Sequence, residues 1–329
     1  MQKLVPLNNQ AEWEQTLQSV PHTYAHTHWY NLAMHLASKR EIFLYTAEAD
    51  NFRAICPISL RKKYSDDPYD VTTPYGFSGM ITEGFFENYM ETRNSFFKEQ
   101  GFVCGHFAMH PFFQNELGLS SNQLFPGKKA YYIDLRKDID TLYSELSTDH
   151  RQRLKQWINK KYKIETTKST DYVDAFVKLY DLSLQNRNTA SIYNFGAEAW
   201  KALINSEFGF LFSIVVDNEI EASALFICFG DMVDYYMIAS TPEGRQHARG
   251  IIWEAIQFFK NQNLSWMQLG CGVRDNDSLE QFKARFGGIA HTTYSLRQIY
   301  NSESYQALCE KYQTDPDNLQ GYFPSYWQN

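Results

Sequence analysis

The hexapeptide Arg245-Gln246-His247-Ala248-Arg249-Gly250 stands between a strand-like run and an amphipathic helix. Residues 234–240, before it, are aromatic and β-branched, which is typical of a β-strand. Residues 250–260, after it, place apolar side chains at the spacing of one helical face. A loop that leads from a strand into a helix points free backbone N–H groups and the positive end of the helix dipole at one place. The hexapeptide is therefore predicted to bind a pyrophosphate group.

Side chains and backbone amides of the hexapeptide are the candidate phosphate ligands. Arg245 would contact phosphate from the loop, and Arg249 from beside the first helical turn. The N–H groups of Ala248, Arg249 and Gly250 would add backbone donors, and Gln246 belongs to the same predicted site. The alternative interpretation is that Arg245 is a surface residue of a turn and contacts no ligand.

Length, composition and charge describe a folded globular protein. The 329 residues are enough for two domains of ordinary size. An apolar fraction of 43%, with 16% aromatic residues, supplies apolar surface for well-packed cores and excludes a disordered chain. The formal net charge of −7 argues against a large nucleic-acid-binding surface, although a local basic patch remains compatible with it.

Neither a secretory signal nor a membrane span is expected. Polar residues follow the N-terminus almost at once, at 8–12. The longest apolar runs, 208–216 and 224–229, are too short to cross a bilayer. The five cysteines are scattered and form no Cys-x-x-Cys pair, so they are interpreted as buried thiols in a reducing compartment. Together these features predict a cytoplasmic protein.

No metal site is predicted. The histidines near the N-terminus have spacings of four, two and seven residues, which match no zinc pattern, and no carboxylate or cysteine completes a set. The histidines concerned are His22, His26, His28 and His35.

The order of the predicted elements is that of an α/β fold. In the first half, short strands alternate with helices, and a loop rich in Pro and Gly occupies residues 71–79. In the second half, Ser147 is a predicted N-cap for a charged helix, and Asp217-Asn218 is a predicted hairpin turn. The predicted helices of the first half are 11–18, 29–38 and 85–100. The predicted strands of the second half are 163–167, 210–216, 222–230, 234–240 and 265–269.

Several segments resemble the FemAB-like branch of the GNAT acyltransferase superfamily. The hexapeptide reads Arg-x-x-Ala-x-Gly and resembles the Arg/Gln-x-x-Gly-x-Gly/Ala signature that holds the pyrophosphate of acyl-CoA. The most specific segment is Phe282-Lys283-x-x-Phe286-Gly287, and residues 73–79 and 151–161 support it. The resemblance covers nearly the whole chain. Ala248 departs from the signature, because a Cβ there narrows the approach of the backbone to a ligand.

The resemblance implies an α/β (α+β) chain of two tandem GNAT-like domains. Each would be a mixed, mostly antiparallel sheet flanked by helices. We expect an acceptor-side domain at 1–145, joined by the C-terminal tail 305–329, and a domain with the donor loop at 146–304. The family further implies a cleft between the domains, acyl-CoA as the co-substrate, and no metal or redox cofactor.

The same resemblance places the chemistry near Phe282 and Lys283. In the family, the lysine of this pair faces the reacting carbonyl, so an ammonium at Lys283 would stabilise the oxyanion, an effect often worth about 3 kcal/mol. The alternative is that Lys283 lies on the wet face of a short helix while Phe282 packs inward. His247 and Asp275 (or Asp277) are candidate bases for deprotonating an ammonium acceptor, and the sequence does not choose between them.

Four residues are candidates for binding the acceptor. Arg187 ends a predicted helix, where it would suit an anionic acceptor such as a nucleotide-linked sugar or would only interact with the helix dipole. Tyr75 would line the cleft from the Pro/Gly loop, or would pack there with a bonded hydroxyl. His28 and Trp29 begin a helix that is predicted to border the cleft.

Three functions remain open. The first is transfer of an acyl group from acyl-CoA to an amino group of an amino sugar or of a cell-surface polymer precursor. The second is an aminoacyltransferase that uses aminoacyl-tRNA and a peptidoglycan peptide, and the third is a non-catalytic binding module, which the Ala248 departure favours. The oligomeric state stays open. The cationic side chains that could contact tRNA are Arg151, Arg153, Lys155, Lys160, Lys161 and Lys163.

Overall fold

The computed structural model describes residues 1–112, 123–185 and 195–328, and in it the chain divides into two compact units. Unit 1 comprises residues 1–127 and 293–329, and unit 2 comprises residues 128–292. The strands are β1 Gln2–Pro6, β2 Ile42–Ala49, β3 Phe52–Arg61, β4 Asp70–Thr72, β5 Ile81–Gly84, β6 Cys104–Met109, β7 Leu124–Asp134, β8 Lys163–Thr166, β9 Gly209–Val216, β10 Glu219–Phe229, β11 Met232–Ser240, β12 Trp266–Cys271 and β13 Ile289–Ile299. The α-helices are α1 Gln10–Leu17, α2 His28–Ser38, α3 Tyr89–Glu99, α4 Ile139–Glu145, α5 Thr148–Asn159, α6 Thr170–Gln185, α7 Gly196–Asn205, α8 Ala248–Asn261, α9 Ser278–Ala284 and α10 Ser302–Lys311.

The sheet of unit 1 is mixed and mostly antiparallel. Strands β1, β2, β3 and β4 are antiparallel neighbours, β5 also pairs with β3, and β6 runs parallel to β4. The second half of β13 pairs with β6 in antiparallel register. The tail lies in this unit, where the Tyr326 hydroxyl and the Trp327 indole both donate to the buried carboxylate of Asp70, at 2.9 and 2.8 Å.

The sheet of unit 2 has the strand order β7, β12, β11, β10, β9, β8. All its pairs are antiparallel except β11 with β12. Asp217 and Asn218 both have positive φ, at 49° and 66°, and form the predicted two-residue turn between β9 and β10. Residues 128–145, which we expected in the first domain, lie in unit 2 because the second half of β7 pairs with β12.

Strands β11 and β12 separate toward their C-terminal ends. Their parallel pairing covers only residues 232–234 and 266–268, although β11 continues to Ser240 and β12 to Cys271. Beyond Gln268 the register of β12 against β7 shifts by one residue, and Gly270 takes a φ of +72°. A glycine suits this bulge because side chains disfavour that conformation.

Helix α8 forms the centre of the core of unit 2. Its predicted apolar face is confirmed, because Ile251, Ile252, Ala255, Ile256 and Phe259 are all buried. The helix packs against β9, β10 and β11. Burial of each large apolar side chain contributes about 1.5–3 kcal/mol, so this face anchors the start of α8 firmly to the sheet.

Helical and strand bounds agree with the predictions where periodicity is strong and differ where the backbone is unusual. α3 begins at Tyr89 rather than at 85, because Asn88 takes a left-handed φ of 60° through which a right-handed helix does not run. Strands β1, β4, β5 and β13 and helices α4 and α10 were not predicted, and β4 overlaps the start of the predicted loop at 71–79. Among the described residues, no helix is both long and apolar enough to cross a membrane.

Candidate functional site

The hexapeptide is helical and not an open loop, which corrects the predicted geometry. Residues Glu243–His247 form a 3-10 turn that runs directly into α8 at Ala248. His247, the residue before the helix, makes no side-chain hydrogen bond to the first turn. Within this turn the Ala248 N–H donates to the backbone oxygen of Arg245, so Ala248 does not supply the free backbone donor that we predicted.

Gly250 is required by packing against α5. A Cβ added at this position would overlap the indole ring of Trp157, whose ring atoms are its nearest neighbours. The glycine of the hexapeptide therefore lets a tryptophan lie against the first turn of α8. This explanation differs from the predicted one, in which the glycine would let a ligand approach the backbone.

His247 is fully buried, and both of its ring nitrogens have protein partners. The Trp157 indole N–H donates to Nδ1 at 3.0 Å, and Nε2 lies 2.9 Å from a carboxylate oxygen of Glu221. The Tyr162 ring stands edge-on to the imidazole at 4.5 Å. Because no ring nitrogen is left for a substrate, this geometry does not support His247 as a general base.

A cavity of about 480 Å³ lies beside the start of α8. We call it the cationic pocket, because four of its lining residues carry a positive charge and none is a carboxylate. A concentration of Arg and Lys beside a helix N-terminus favours phosphate oxygens. The lining residues are Arg153, Gln156, Trp157, Lys160, Tyr162, Arg245, Gln246, Arg249 and Phe282.

The cationic pocket brings together three of the five predicted donor ligands. Arg245 and Gln246 are exposed at its mouth, and Arg249 is half-buried in its wall. The guanidinium of Arg249 lies over the Phe282 ring at 5.8 Å, and its Nε is buried with no hydrogen-bond partner. Burial is the main cause of the lowered pKa of Arg249, opposed by the nearby Asp149. A phosphate would give this guanidinium a partner.

Lys283 is buried, contrary to the alternative that placed it on the wet face of a helix. It is 7% exposed, and its Nζ donates to the backbone oxygen of Cys271 at 2.7 Å. An ammonium has three N–H donors, so two stay available among the described contacts. Burial lowers the pKa of Lys283 to about 8, while the nearby Cys271 and Asp277 raise it. A Cβ at Gly270 would lie 3.3 Å from Nζ, so the ammonium faces the bulge of β12.

The segment 271–280 holds α9 in place. Asp277 is the N-cap of α9 and accepts hydrogen bonds from three backbone N–H groups, those of Val273, Arg274 and Glu280. Glu280 is buried and accepts from the Tyr131 hydroxyl at 3.1 Å. Asp275, two residues before the cap, is exposed. Its position gives no support to a catalytic role, since burial or a charge partner is what usually adapts a carboxylate as a base.

Phe282 packs against His150 and Phe286, with ring centroids 5.3 and 5.4 Å away, and also lines the cationic pocket. It therefore separates the pocket from the core and is next to Lys283 in the chain. His150 is fully buried, and neither of its ring nitrogens has a partner among the described residues. Burial, followed by Arg249 and Arg285, lowers the pKa of His150 to about 4.

Sequence reasoning missed four residues of this region as parts of a site. They share no motif with the hexapeptide, and only Trp157 had a signal in the sequence, because it lies four residues after Arg153 and three before Lys160 and so shares a helical face with these cations. The missed residues are His150, Trp157, Tyr162 and Glu221.

The predicted acceptor residues lie in unit 1, except Arg187, which falls outside the described residues. His28 is buried, and its Nε2 is 2.7 Å from the backbone oxygen of Leu7. Trp29 stands edge-on to Tyr30, whose hydroxyl donates to the backbone oxygen of Tyr75 at 2.7 Å. The helix and the Pro/Gly loop are thus joined, and the binding role of these residues stays a prediction. In the described ranges, no group of three or more His, Cys, Asp or Glu could hold a metal ion.

No protein-family model matches this chain, and no curated protein matches its sequence. Solved structures do match its fold. FemX superposes with a TM-score of 0.66 over 93% of this chain and 99% of its own, with 12% identical residues. L-PGS from Bacillus licheniformis matches with a TM-score of 0.58 over 89% of this chain and 92% of its own, with 10% identity. A tandem GNAT protein from the clavulanic acid biosynthesis pathway matches with a TM-score of 0.50 over 90% and 98%, with 10% identity.

These likenesses show the fold. The chain has the FemAB-like tandem GNAT fold, and the predicted α/β fold class is confirmed. In unit 2, Lys283 and the cationic pocket lie beside three elements. These are the separating strands β11 and β12 and the helix α8, which follows β11.

Proposed function

We propose that this chain is a transferase that moves an acyl group from a phosphate-bearing donor to an amino group. The donor is acyl-CoA, and the acceptor is an amino sugar or a precursor of a cell-surface polymer. The observation that carries this proposal is Lys283, a buried ammonium with spare N–H donors at the bulge of β12. The FemAB-like fold supports it.

The buried position makes Lys283 suited to stabilise negative charge. Burying an ammonium costs desolvation free energy, which hydrogen bonds or an opposite charge must offset. The single hydrogen bond from Lys283 to the backbone oxygen of Cys271 offsets this cost only in part. An oxyanion would accept the remaining N–H groups in surroundings where electrostatic attraction is strong. The lysine would then contribute more to the transition state than to the ground state, which is what accelerates a reaction.

The chemistry is direct transfer. The neutral nitrogen of the acceptor attacks the carbonyl carbon of the thioester, and the carbonyl electrons move to oxygen, where Lys283 stabilises them. Collapse of this intermediate breaks the C–S bond and releases the thiolate of CoA, which takes up the proton that the attacking nitrogen loses, so the products are the amide and the free thiol. No covalent intermediate on the enzyme is required.

The cationic pocket supplies the donor-binding part of the proposal. Arg245, Arg249, Arg153 and Lys160 surround a volume of about 480 Å³, which is within the range of small-molecule sites. The Nε of Arg249 is buried and has no hydrogen-bond partner, so a phosphate oxygen that accepts from it would add the most binding free energy there. Phe282 connects this pocket to Lys283, because the two residues are consecutive on α9.

A specific observation also favours aminoacyl-tRNA as the donor. The Trp157 ring occupies the space next to Gly250, where the GNAT signature would bring a pyrophosphate to the backbone. Exposed cations of α5 and the residues after it continue from the pocket, as a nucleic-acid backbone would require. In that case a C–O bond to a ribose hydroxyl breaks instead of the C–S bond, and Lys283 has the same role.

The test measures binding and transfer with both donors. Thermal unfolding is followed with acetyl-CoA, CoA or aminoacyl-tRNA, and transfer to amino sugars and amino-acid amines is followed by mass spectrometry. We expect stabilisation by one donor, and Lys283→Met to lower kcat by about 10²–10³-fold while donor binding is retained. Lys98→Met is the matched control, because Lys98 is exposed on α3 in unit 1.

The possible results separate the three functions. Stabilisation by CoA species that disappears in the Arg245→Ala/Arg249→Ala variant supports acyl-CoA. Stabilisation by aminoacyl-tRNA, weakened steeply by salt, supports the second donor. Binding of a donor without transfer to any amine identifies a binding module, and no response to either donor overturns the proposal.

A further inference from the structure

A hydrogen-bonded chain of three side chains runs beneath the cationic pocket. Glu221 lies 2.9 Å from Nε2 of His247, so this nitrogen carries the proton and donates it. Nδ1 is then an acceptor, and the Trp157 indole N–H donates to it at 3.0 Å. The carboxylate thus determines the tautomer of His247, and His247 in turn determines the orientation of the indole.

Packing restricts the indole further. One side of the ring lies against the Cα of Gly250, where no side chain fits. Tyr162 is close to both members of the pair, with ring centroids 5.7 Å from Trp157 and 4.5 Å from His247. An aromatic ring held in this way loses little conformational entropy when a ligand binds to it.

The restrained indole is part of the wall of the cationic pocket. Trp157 is half-buried and lines the cavity together with Tyr162. The cationic side chains alone are sufficient to bind phosphate groups. Two large aromatic rings in the same wall therefore indicate that the ligand also carries a planar group. Aromatic rings beside Arg and Lys are the combination that binds a base by stacking and its phosphates by charge.

We infer that Trp157 is the stacking surface for the base of a nucleotide donor, and that His247 is the positioning residue that holds it. The inference rests on the proposed function only in taking the pocket to be the donor site. Both proposed donors contain an adenine nucleotide, so the shared chemistry is a purine base attached to phosphates. The role of His247 is to orient Trp157, and it does not transfer a proton.

The experiment compares ADP with inorganic pyrophosphate by titration calorimetry on the full chain. Both ligands present a diphosphate, and ADP adds the base. We expect wild-type protein to bind ADP about tenfold more tightly than pyrophosphate, since stacking of one base on an aromatic ring contributes roughly 1–3 kcal/mol. Trp157→Leu should remove this preference while the pyrophosphate affinity changes less than about twofold. Trp157→Phe, with a smaller ring, should keep an intermediate preference.

The ratio of the ADP affinity to the pyrophosphate affinity also tests the role of His247. His247→Ala frees the indole and should lower the ADP preference several-fold, with little effect on pyrophosphate. His247→Gln offers an acceptor for the indole and a donor for Glu221, and it should restore most of the preference. Equal loss of both ligands in His247→Ala, without rescue by glutamine, would show a merely structural role and overturn the assignment.

The inference as a whole is overturned if ADP and pyrophosphate bind wild-type protein equally, or if neither binds. It is also overturned if the ratio is unchanged in both Trp157 variants. Competition of bound ADP by CoA or by a short single-stranded RNA distinguishes the two sources of the nucleotide. Base-dependent binding without acyl transfer would contradict the proposed function alone, and transfer that is insensitive to Trp157→Leu would contradict this inference alone.

Discussion

At the scale of single residues, three side chains of the second unit have roles that depend on burial. Lys283 is withdrawn from water with one carbonyl partner, His247 has both nitrogens engaged, and Arg249 has an unpaired Nε. Only the first and third are available to a ligand. His247 and Lys283 are both buried, and their hydrogen-bond partners are what distinguishes them, although the sequence presents both as polar residues close to a motif.

The lowered pKa of Lys283 predicts the alkaline limb of activity. Burial lowers this pKa to about 8, and only the ammonium form donates to an oxyanion, so kcat/KM should fall as the pH rises through about 8. Arg stays protonated, so Lys283→Arg should have lower activity but no limb between pH 7 and 10. The pH profiles of both proteins provide the measurement, and a limb that persists in the arginine variant would assign it to another group.

Gly250→Ala should destabilise the protein despite the better helix propensity of alanine. Its Cβ would overlap the Trp157 ring, and overpacking of this kind typically costs about 1–3 kcal/mol, against a gain of roughly 1 kcal/mol from propensity. Urea unfolding measures the difference. Trp157→Leu provides the second half of a double-mutant cycle, in which the cost of Gly250→Ala should largely disappear. If the two substitutions change the free energy of unfolding additively, the contact between Gly250 and Trp157 is refuted.

At the scale of elements, the short helix α9 connects the cationic pocket to Lys283. It carries Phe282 toward the pocket and Lys283 toward β12, and the Ser147 N–H of the α5 cap donates to the backbone oxygen of Arg285 at its end. Seven residues are too few for a stable helix by themselves. The position of α9 therefore depends on its cap and on the elements beside it.

Asp277→Ala tests this dependence. Loss of the N-cap should lower stability by about 1–2 kcal/mol and lower kcat by more than the same stability loss elsewhere, because Lys283 is displaced. The matched control is Asp138→Ala, which removes the N-cap of α4, where Asp138 accepts from the Thr141 N–H at 2.8 Å. Unfolding curves and transfer rates are compared, and equal rates in the two variants would mean that α9 does not position the lysine.

At the scale of the whole molecule, both units contain buried or half-buried histidines that resist protonation. Burial is the main cause of their lowered pKa values, which are about 4 for His26 and His150 and about 3 for His106 and His110. His26, His106 and His110 lie in unit 1, whereas His150 lies in unit 2. Acid should therefore destabilise unit 1 most.

The free energy of unfolding should therefore fall as the pH decreases from about 6.5 toward 4. The histidines of the unfolded chain take up protons near their ordinary pKa of about 6.5, whereas those of the folded chain take them up only near pH 4 and below. The stability that they contribute is therefore fully present above about pH 6.5 and is lost as the pH falls below it. Each histidine contributes at most about 1.4 kcal/mol per pH unit. Urea unfolding at pH 7.5 and pH 5 checks this, His26→Gln should flatten the slope, and equal stability at the two pH values would contradict it.

Local features of the sequence were sufficient for much of the fold. The apolar stripe of α8 and the Asp217-Asn218 turn follow from the spacing of neighbouring residues along the chain, which fixes their faces and angles. The motif around Phe282 and Lys283 is recognised only through its resemblance to a known family, and spacing alone leaves Lys283 suited to the wet face of a helix. The site was found less completely. The hexapeptide and the Phe-Lys pair remain predicted site residues, and no motif in the sequence indicated that Trp157, Glu221 or the buried His150 lie beside them.

The sequence by itself determined that the chain is an α/β protein with a cationic segment at the start of α8 and a lysine on α9. Only the tertiary structure decided that Gly250 receives Trp157, that His247 is held by Glu221 and that Lys283 is buried at the bulge of β12. The reason is distance along the chain, since Trp157 and His247 are 90 residues apart. Periodicity reports which face of an element is apolar, whereas burial and hydrogen-bond partners arise only when separate elements pack together.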